Sequence, residues 1–484
     1  MPRLSRATCN SLRYDTEALE IGIIHLGVGA FHRAHQADYT DEAIRNGDPR
    51  WGIIGASLRS AEARDALKPQ DYLYTIAESD ETGERFRVIG ALRDVLVAPE
   101  NSSALIKVMC RPSVKIVSLT VTEKGYCHDP ATGELNESHA DIVHDLANPH
   151  RPRSAPGFLV AALRERRQRG LEPFTVLCCD NLPANGQTVR KVVTKLASLQ
   201  DRALGRYVGE NVAFPSTMVD RIVPATTDAD RARVAAATGF EDAWPVVTEI
   251  YNNWVIEDHF PQGRPEWSAT FVHDIAPFEL MKLRLLNGAH SSMSYLGYLA
   301  GRETIADCMV EAALAHFVAH LMHKEVTSTL QVPPGADIET YKAALLRRFR
   351  NPGLRHRTWQ IAMDGSQKLP QRLLGTIRDR LASGQSIDGL ALGVAAWMRY
   401  VTGIDEKQQP ITVRDPLQEK LRARADAAGL DAAKLAKSLF GFEQVFGADL
   451  PANSAFTAAV TKALDSLIRH GSQKTCEDFQ RSHP

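Results

Sequence analysis

Four polar residues lie close together in the segment ELMKLRLLNGAH: Glu279, Lys282, Asn287 and His290. On an α-helix at about 100° per residue, with Lys282 at zero, Glu279 falls at about 60°, His290 at about 80° and Asn287 at about 140°. Leu283 and Leu286 share that arc, so it is not a simple solvated face. A lysine among apolar neighbours loses stabilisation of its charge and moves toward the range of a general base. An asparagine amide can donate to an oxygen on which charge develops. The competing reading is a surface stripe with a lysine at its buried edge. Asn181, closing the run CCDN, offers a second such amide, with an ordinary turn asparagine as the alternative. A basic group, Arg355, His356, Arg357, Lys368 and Arg372, could hold a carboxylate or form a solvated helix end. His316, His320 and His323 have helical metal-ligand spacing but no evident partner, and a half-exposed helix face explains them as well. There is no HExxH, and none of the eleven tyrosines begins a YxxxK motif.

These residues need elements to hold them. IGIIHLGV (21–28) is a short apolar run ending at Gly27 and Gly29, followed by a helical stretch, AHQADYTDEAIRNG, and a second run, WGIIGASL (51–58). Strand, glycine turn, helix and strand open a parallel α/β sheet. The pair of glycines lets backbone approach a pyrophosphate, although His32 occupies the place of the third glycine of the usual fingerprint. A plain strand-to-helix turn fits the same residues. VKIVSLTVT (114–122) and FTVLCCDN (174–181) read as further buried strands. Ligands collect at the carboxyl ends of such strands, which singles out Thr122, Glu123, Asp180 and Asn181. Beyond about residue 275 the apolar spacing is helical throughout. The expected fold class is therefore α/β. Residues 1–275 form a Rossmann-type dinucleotide-binding domain and 276–484 a mainly helical catalytic domain, with the active site in the cleft between them.

The chain has 484 residues, 44% of them hydrophobic and 24% charged, with a formal net charge of −1. That is ordinary globular composition, and bulk charge points to no nucleic-acid partner. Seven cysteines without a CxxC pair suit a reducing cytoplasm better than a disulfide framework or structural zinc. No run suggests a secretory signal or a membrane span, so the expected location is cytoplasmic.

Taken together, GVGAFHRAHQA (27–37), SLTVTEKGY (118–126), CDN (179–181), TMVDRIVPA (217–225), WVIEDHFPQGRPEW (254–267), MKLRLLNGAH (281–290) and DGSQKLP (364–370) resemble the mannitol dehydrogenase family over nearly the whole chain. TVTEKGYC, PFELMKLRLLNGAH and LRHRTWQIAMDGSQKLPQRLL bring the likeness nearest to its fructuronate reductase branch. The resemblance implies NAD(H) without metal, a sugar acid or polyol as substrate, and a monomer. It places the acid/base on Lys282, oxyanion donors on Asn181 and Asn287, a substrate histidine on His290 and a proton gate on Glu279. Asp220 and Lys368 would contact substrate, with Arg357 as a second carboxylate contact. Cofactor contacts would fall on Ile24, Gly27, Val28, Gly29, Ala30, Phe31, His32, Arg33, Thr122 and Glu123. Mannitol-oxidising relatives carry arginine where this chain has Gln360, which shifts the expectation from a neutral polyol to a keto-uronate. The alternatives are a mannitol, arabinitol or altronate-type dehydrogenase, or an idle NAD- or sugar-binding sensor. Arg59 follows the second strand where an acid would select NAD, so NADP stays open.

Overall fold

A computed structural model describes residues 1–80, 82–129 and 132–484. The chain forms two compact units, Met1–Ala276 and Pro277–Pro484. The strands of the first are β1 (Ile21–Leu26), β2 (Gly52–Ser57), β3 (Tyr74–Asp80), β4 (Gly83–Ile89), β5 (Leu92–Val97), β6 (Ile116–Leu119), β7 (Thr175–Cys178), β8 (Thr217–Asp220), β9 (Val246–Glu249), β10 (Asn253–Glu257) and β11 (Thr270–Val272).

The main sheet is parallel, in the order β5-β2-β1-β6-β7. The chain moves outward from β1 through β2 to β5, then returns to the other side of β1. That reversal beside β1 is the switch point at which open α/β sheets bind ligands. Both faces of the sheet are covered. Ile24, Leu26, Ile54, Val117 and Val176 pack into one apolar cluster, while Ile23, Ile53, Ile116 and Leu177 pack into another. Burial on both faces is why these strands read as unbroken apolar runs.

Two three-stranded sheets, β11-β10-β8 and β4-β3-β9, complete the unit. Neither was legible as an apolar run: β8 and β9 are only four residues long and mix buried polar residues among the apolar ones, and β4 is exposed at Gly83, Glu84 and Arg85. The two sheets are tied to each other and to the helices that follow β1 by Arg221. This guanidinium is wholly buried and pairs with Asp38, at 2.8 Å, and with Glu78. Arg87 closes the network onto the same two acids, at 2.7 and 3.0 Å.

The second unit is helical. Its centre is helix Asp388–Tyr400, buried along nearly its whole length, against which helices Ala289–Leu299 and Ser454–Ser482 pack. The approach to Ala289–Leu299 is close: a Cβ on Gly393 would stand 2.5 Å from Ser292 Oγ. All seven cysteines are buried and free, and no helix among the described residues is long and apolar enough to cross a membrane.

The Gly393 contact is testable. Alanine in place of glycine normally stabilises a helix interior by about 1 kcal/mol. Here Gly393→Ala should instead destabilise by about 1–3 kcal/mol through overpacking against Ser292, read as a lower urea midpoint for the second unit. A raised midpoint would refute the close approach.

Candidate active site

The turn after β1 is built on two glycines with different reasons to be glycine. Gly27 has φ +97°, and a Cβ there would lie 2.1 Å from the Thr120 carbonyl oxygen. No side chain fits that position. Gly29 has ordinary extended backbone, and its Cβ would come no nearer than 4.0 Å to any atom, the Gly27 carbonyl oxygen. Packing within the protein does not require glycine there, so the position is open to a group that approaches from outside. A groove of about 900 Å³ opens at this turn, lined by Gly27, Val28, Gly29, Arg59, Thr122 and Asp141 among others. That volume suits a cofactor site.

The following helix is shorter than its sequence suggests. It runs Ala30–Ala34, breaks at His35 (φ −124°, ψ −91°) and resumes as Gln36–Arg45. His32, in place of the third glycine, lies flat on His25 with ring centroids 3.4 Å apart and planes within 9°. The aromatic stack replaces the close helix–strand packing that a third glycine would give. His25 faces Ser118 Oγ at 2.8 Å and Thr120 Oγ1 at 2.8 Å, which ties β1 to the end of β6. Burial pushes the His25 pKa down to about 3 and that of His32 well below its usual value, so both rings are neutral. Ile24, His32 and Arg33 are buried beneath the turn rather than on the groove wall. Arg33 donates to the Trp244 carbonyl and lies over the Tyr74 ring. Phe31 stacks on His35 instead, with centroids 5.0 Å apart.

The neighbouring strand ends carry the other expected groups of this unit. Asp180 accepts from the Val121 N–H at 2.8 Å and from the Tyr126 hydroxyl at 2.7 Å. Burial raises its pKa to about 6 against those donors. The same segment holds Thr122 at φ +65°, a strained conformation for a β-branched residue, and Thr122 lines the groove. Strain of this kind concentrates at functional turns; the sequence singled out Thr122 by its place at a strand end, not by its conformation. Asn181 is exposed just past β7, Glu123 is exposed, and Asp220 ends β8, buried.

In the second unit, Lys282 ends helix Ala276–Lys282 and is only 7% exposed. The next six residues, Leu283–Gly288, form a π-helical turn before the α-helix resumes at Ala289. The angles expected for one straight α-helix therefore do not hold beyond Lys282. Such turns concentrate at functional sites, and this one carries Asn287 at its end, half-buried. His290 follows, buried against Phe349 with ring centroids 4.5 Å apart and edge-to-face with His356 at 5.2 Å. Burial, then His356, Arg348, Arg372 and Lys282, push the His290 pKa well below its usual value. His356 is pushed down to about 4 by burial and by Lys368. Two neutral histidines thus stand among four cationic side chains. His290 Nε2 and His356 Nδ1 are buried with no hydrogen-bond partner among the described residues. Buried polar atoms of that kind call for a polar ligand.

A second π-turn, Pro370–Leu374, carries Arg372, which donates to Ser291 Oγ at 3.0 Å. The two π-turns pack together, and a Cβ on Gly288 would lie 2.9 Å from the Arg372 carbonyl oxygen. Lys368 donates to the Ile361 carbonyl at 3.3 Å. Arg357 pairs with Glu303, and Gln360 is half-buried on helix Thr358–Ala362. Arg348 had no signal in the sequence beyond its place among other arginines. His316, His320 and His323 do not converge: they face the His483 carbonyl at 2.7 Å, Glu325 at 3.7 Å and Glu339 at 3.6 Å.

The contrast between the glycines yields a paired test. Gly29→Ala should fold with an unchanged melting midpoint yet bind a nicotinamide dinucleotide at least about tenfold more weakly, because the new methyl stands where the ligand must approach. Gly27→Ala should lower the midpoint as well. Undiminished binding by Gly29→Ala would remove the turn from the cofactor site.

Comparison with known proteins follows the same division of the chain. The model of the mannitol dehydrogenase Rossmann domain matches residues 21–269, and that of the mannitol dehydrogenase C-terminal domain matches 274–468. D-mannonate oxidoreductase of Escherichia coli (strain K12) is 47% identical over 470 residues, 95% of this chain and 96% of that one. Mannitol 2-dehydrogenase of Aspergillus terreus is 40% identical over 473 residues, 96% and 93% of the two chains. The Pseudomonas fluorescens mannitol 2-dehydrogenase, solved as a ternary complex with NAD and D-mannitol, superposes with a TM-score of 0.91 at 38% identity, covering 100% of both chains. The chain belongs to the mannitol dehydrogenase family.

Proposed function

We propose that this chain is an NAD(H)-dependent oxidoreductase of a secondary alcohol, acting as a fructuronate reductase that interconverts D-fructuronate and D-mannonate. The observation that carries the choice of a sugar acid is the cationic surround of the two neutral histidines: Lys282, Arg348 and Arg372 about His290, and Lys368 about His356. A carboxylate brought among these cations gains charge-assisted bonds that a neutral polyol cannot make.

A nicotinamide cofactor bound at the Gly27–Gly29 turn would supply the hydride in the reductive direction. Every other function falls to side chains. The Lys282 ammonium donates a proton to the carbonyl oxygen as it becomes the alcohol. The amides of Asn181 and Asn287 donate to that oxygen while its charge grows. Glu279, one helical turn before Lys282, passes the replacement proton from solvent. His290, neutral, offers one donor and one acceptor to substrate hydroxyls. Lys368 and Arg372 hold the carboxylate, with Asp220 on a hydroxyl. Arg357 would have to release Glu303 before it could join them. Gln360, where mannitol-oxidising relatives carry arginine, leaves the neutral end of the substrate differently held.

The rival reading is a dehydrogenase of mannitol or a related polyol, and the full-length likeness to the Pseudomonas enzyme favours it. A panel of D-fructuronate, D-tagaturonate and D-fructose, with the matching alcohols, separates the two. The uronate should be preferred in kcat/KM by on the order of a hundredfold or more. Preference for fructose or mannitol would overturn the uronate assignment. Lys282→Ala should lose at least about a hundredfold in kcat while still binding NADH. Near-normal turnover by that variant would overturn the mechanism.

A further inference from the structure

The groove at the glycine turn is strongly basic. Its walls include Arg59, Arg151, Arg153 and His144, and Asp141 is the one acid among the described residues lining it. Arg59, Arg151 and Arg153 are exposed, and none of their guanidinium groups makes a hydrogen bond or ion pair with any described residue. Asp141 lies 4.0 Å from His139 Nδ1.

Arg59 has the most informative position. In doubly wound folds the residue just past the second strand meets the adenosine ribose. An acid there bonds the 2′-hydroxyl and repels a 2′-phosphate, while an arginine nearby accommodates that phosphate. Here β2 ends at Ser57 and is followed by Leu58, Arg59 and Ser60, all four of them groove residues. The first acid after the strand is Glu62, which opens helix Glu62–Leu67 and does not line the groove. The acid that would exclude a phosphate is missing, and a cation and a hydroxyl stand in its place.

We propose that Arg59, with Ser60 beside it, forms a 2′-phosphate subsite, so that this chain takes NADP(H) as well as NAD(H). Arg59 is not held by any other described residue, so no ion pair among them has to break for it to turn onto a phosphate. The guanidinium can donate two parallel bonds to the phosphate oxygens, and Ser60 Oγ can donate a third. The inference rests on the groove being the cofactor site. It adds which nucleotides that site accepts.

The test uses the full-length protein and fragments that isolate the phosphate. Calorimetry with 2′,5′-ADP and 5′-AMP should show the former bound on the order of tenfold more tightly, with the advantage shrinking as salt is raised. NADPH titrated by nicotinamide fluorescence should bind, and should support turnover. Arg59→Asp and Arg59→Ala should abolish the preference for 2′,5′-ADP and lower NADPH affinity relative to NADH by a similar factor, while Arg59→Lys keeps part of both. NADH binding without any 2′-phosphate preference, or a preference indifferent to Arg59, overturns the subsite and leaves the cofactor groove standing. Failure of both NADH and 5′-AMP to bind overturns the groove reading and the subsite together.

Discussion

Much of the first unit depends on one place where two backbones nearly touch. Gly27 brings the end of β1 against the Thr120 carbonyl at the end of β6. The contact admits no side chain, so it fixes how the chain leaves the sheet at its switch point. His25 reinforces it from within β1 by bonding Ser118 and Thr120, and the His32 ring seals it from the helix side. Gly29, the groove floor and the strained Thr122 follow from that geometry. The histidines achieve this only while neutral. No acid among the described residues acts on either ring, and burial keeps both uncharged far below neutral pH.

How much of this could be read from the residues depended on burial. β1, β2, β6 and β7 were legible because a sheet covered on both faces leaves an unbroken apolar signature. The helical second unit was legible through its spacing. The two smaller sheets were not, since β8 and β9 are short buried strands with polar residues among the apolar ones, and β4 is half-exposed and mixes charged and apolar residues. Within the site, Lys282, Asn287 and His290 could be grouped by proximity in sequence, but their angular relation could not. Whether a helix takes an i→i+5 turn is decided by what packs on it, here the second π-turn. The basic cluster was visible as composition. Its sorting was not: Arg357 is drawn to Glu303, whereas Arg372 and Lys368 surround the histidines, and only the folded chain distinguishes them.

The buried Arg221 network shows the same logic at larger scale. Two acids from different elements, Asp38 and Glu78, share two arginines, and the guanidinium of Arg221 also holds the carbonyls of Ala34 and Glu249. Ion pairs of this kind add little net stability, but they penalise every arrangement in which one partner is missing. They therefore specify register between β3, β8 and the helix that carries the glycine turn.

The packing of the two π-turns has a consequence for how this enzyme could change over generations. Gly288 sits between Asn287 and the helix of His290, and it rests on the backbone carbonyl of Arg372. The groups proposed for chemistry and a cation proposed for recognition thus share a single main-chain seam. Mutations that reshape one side will be felt on the other, so their effects should be epistatic rather than additive. New substrate ranges on this scaffold are more accessible through side chains that leave the seam intact than through any change that moves either turn.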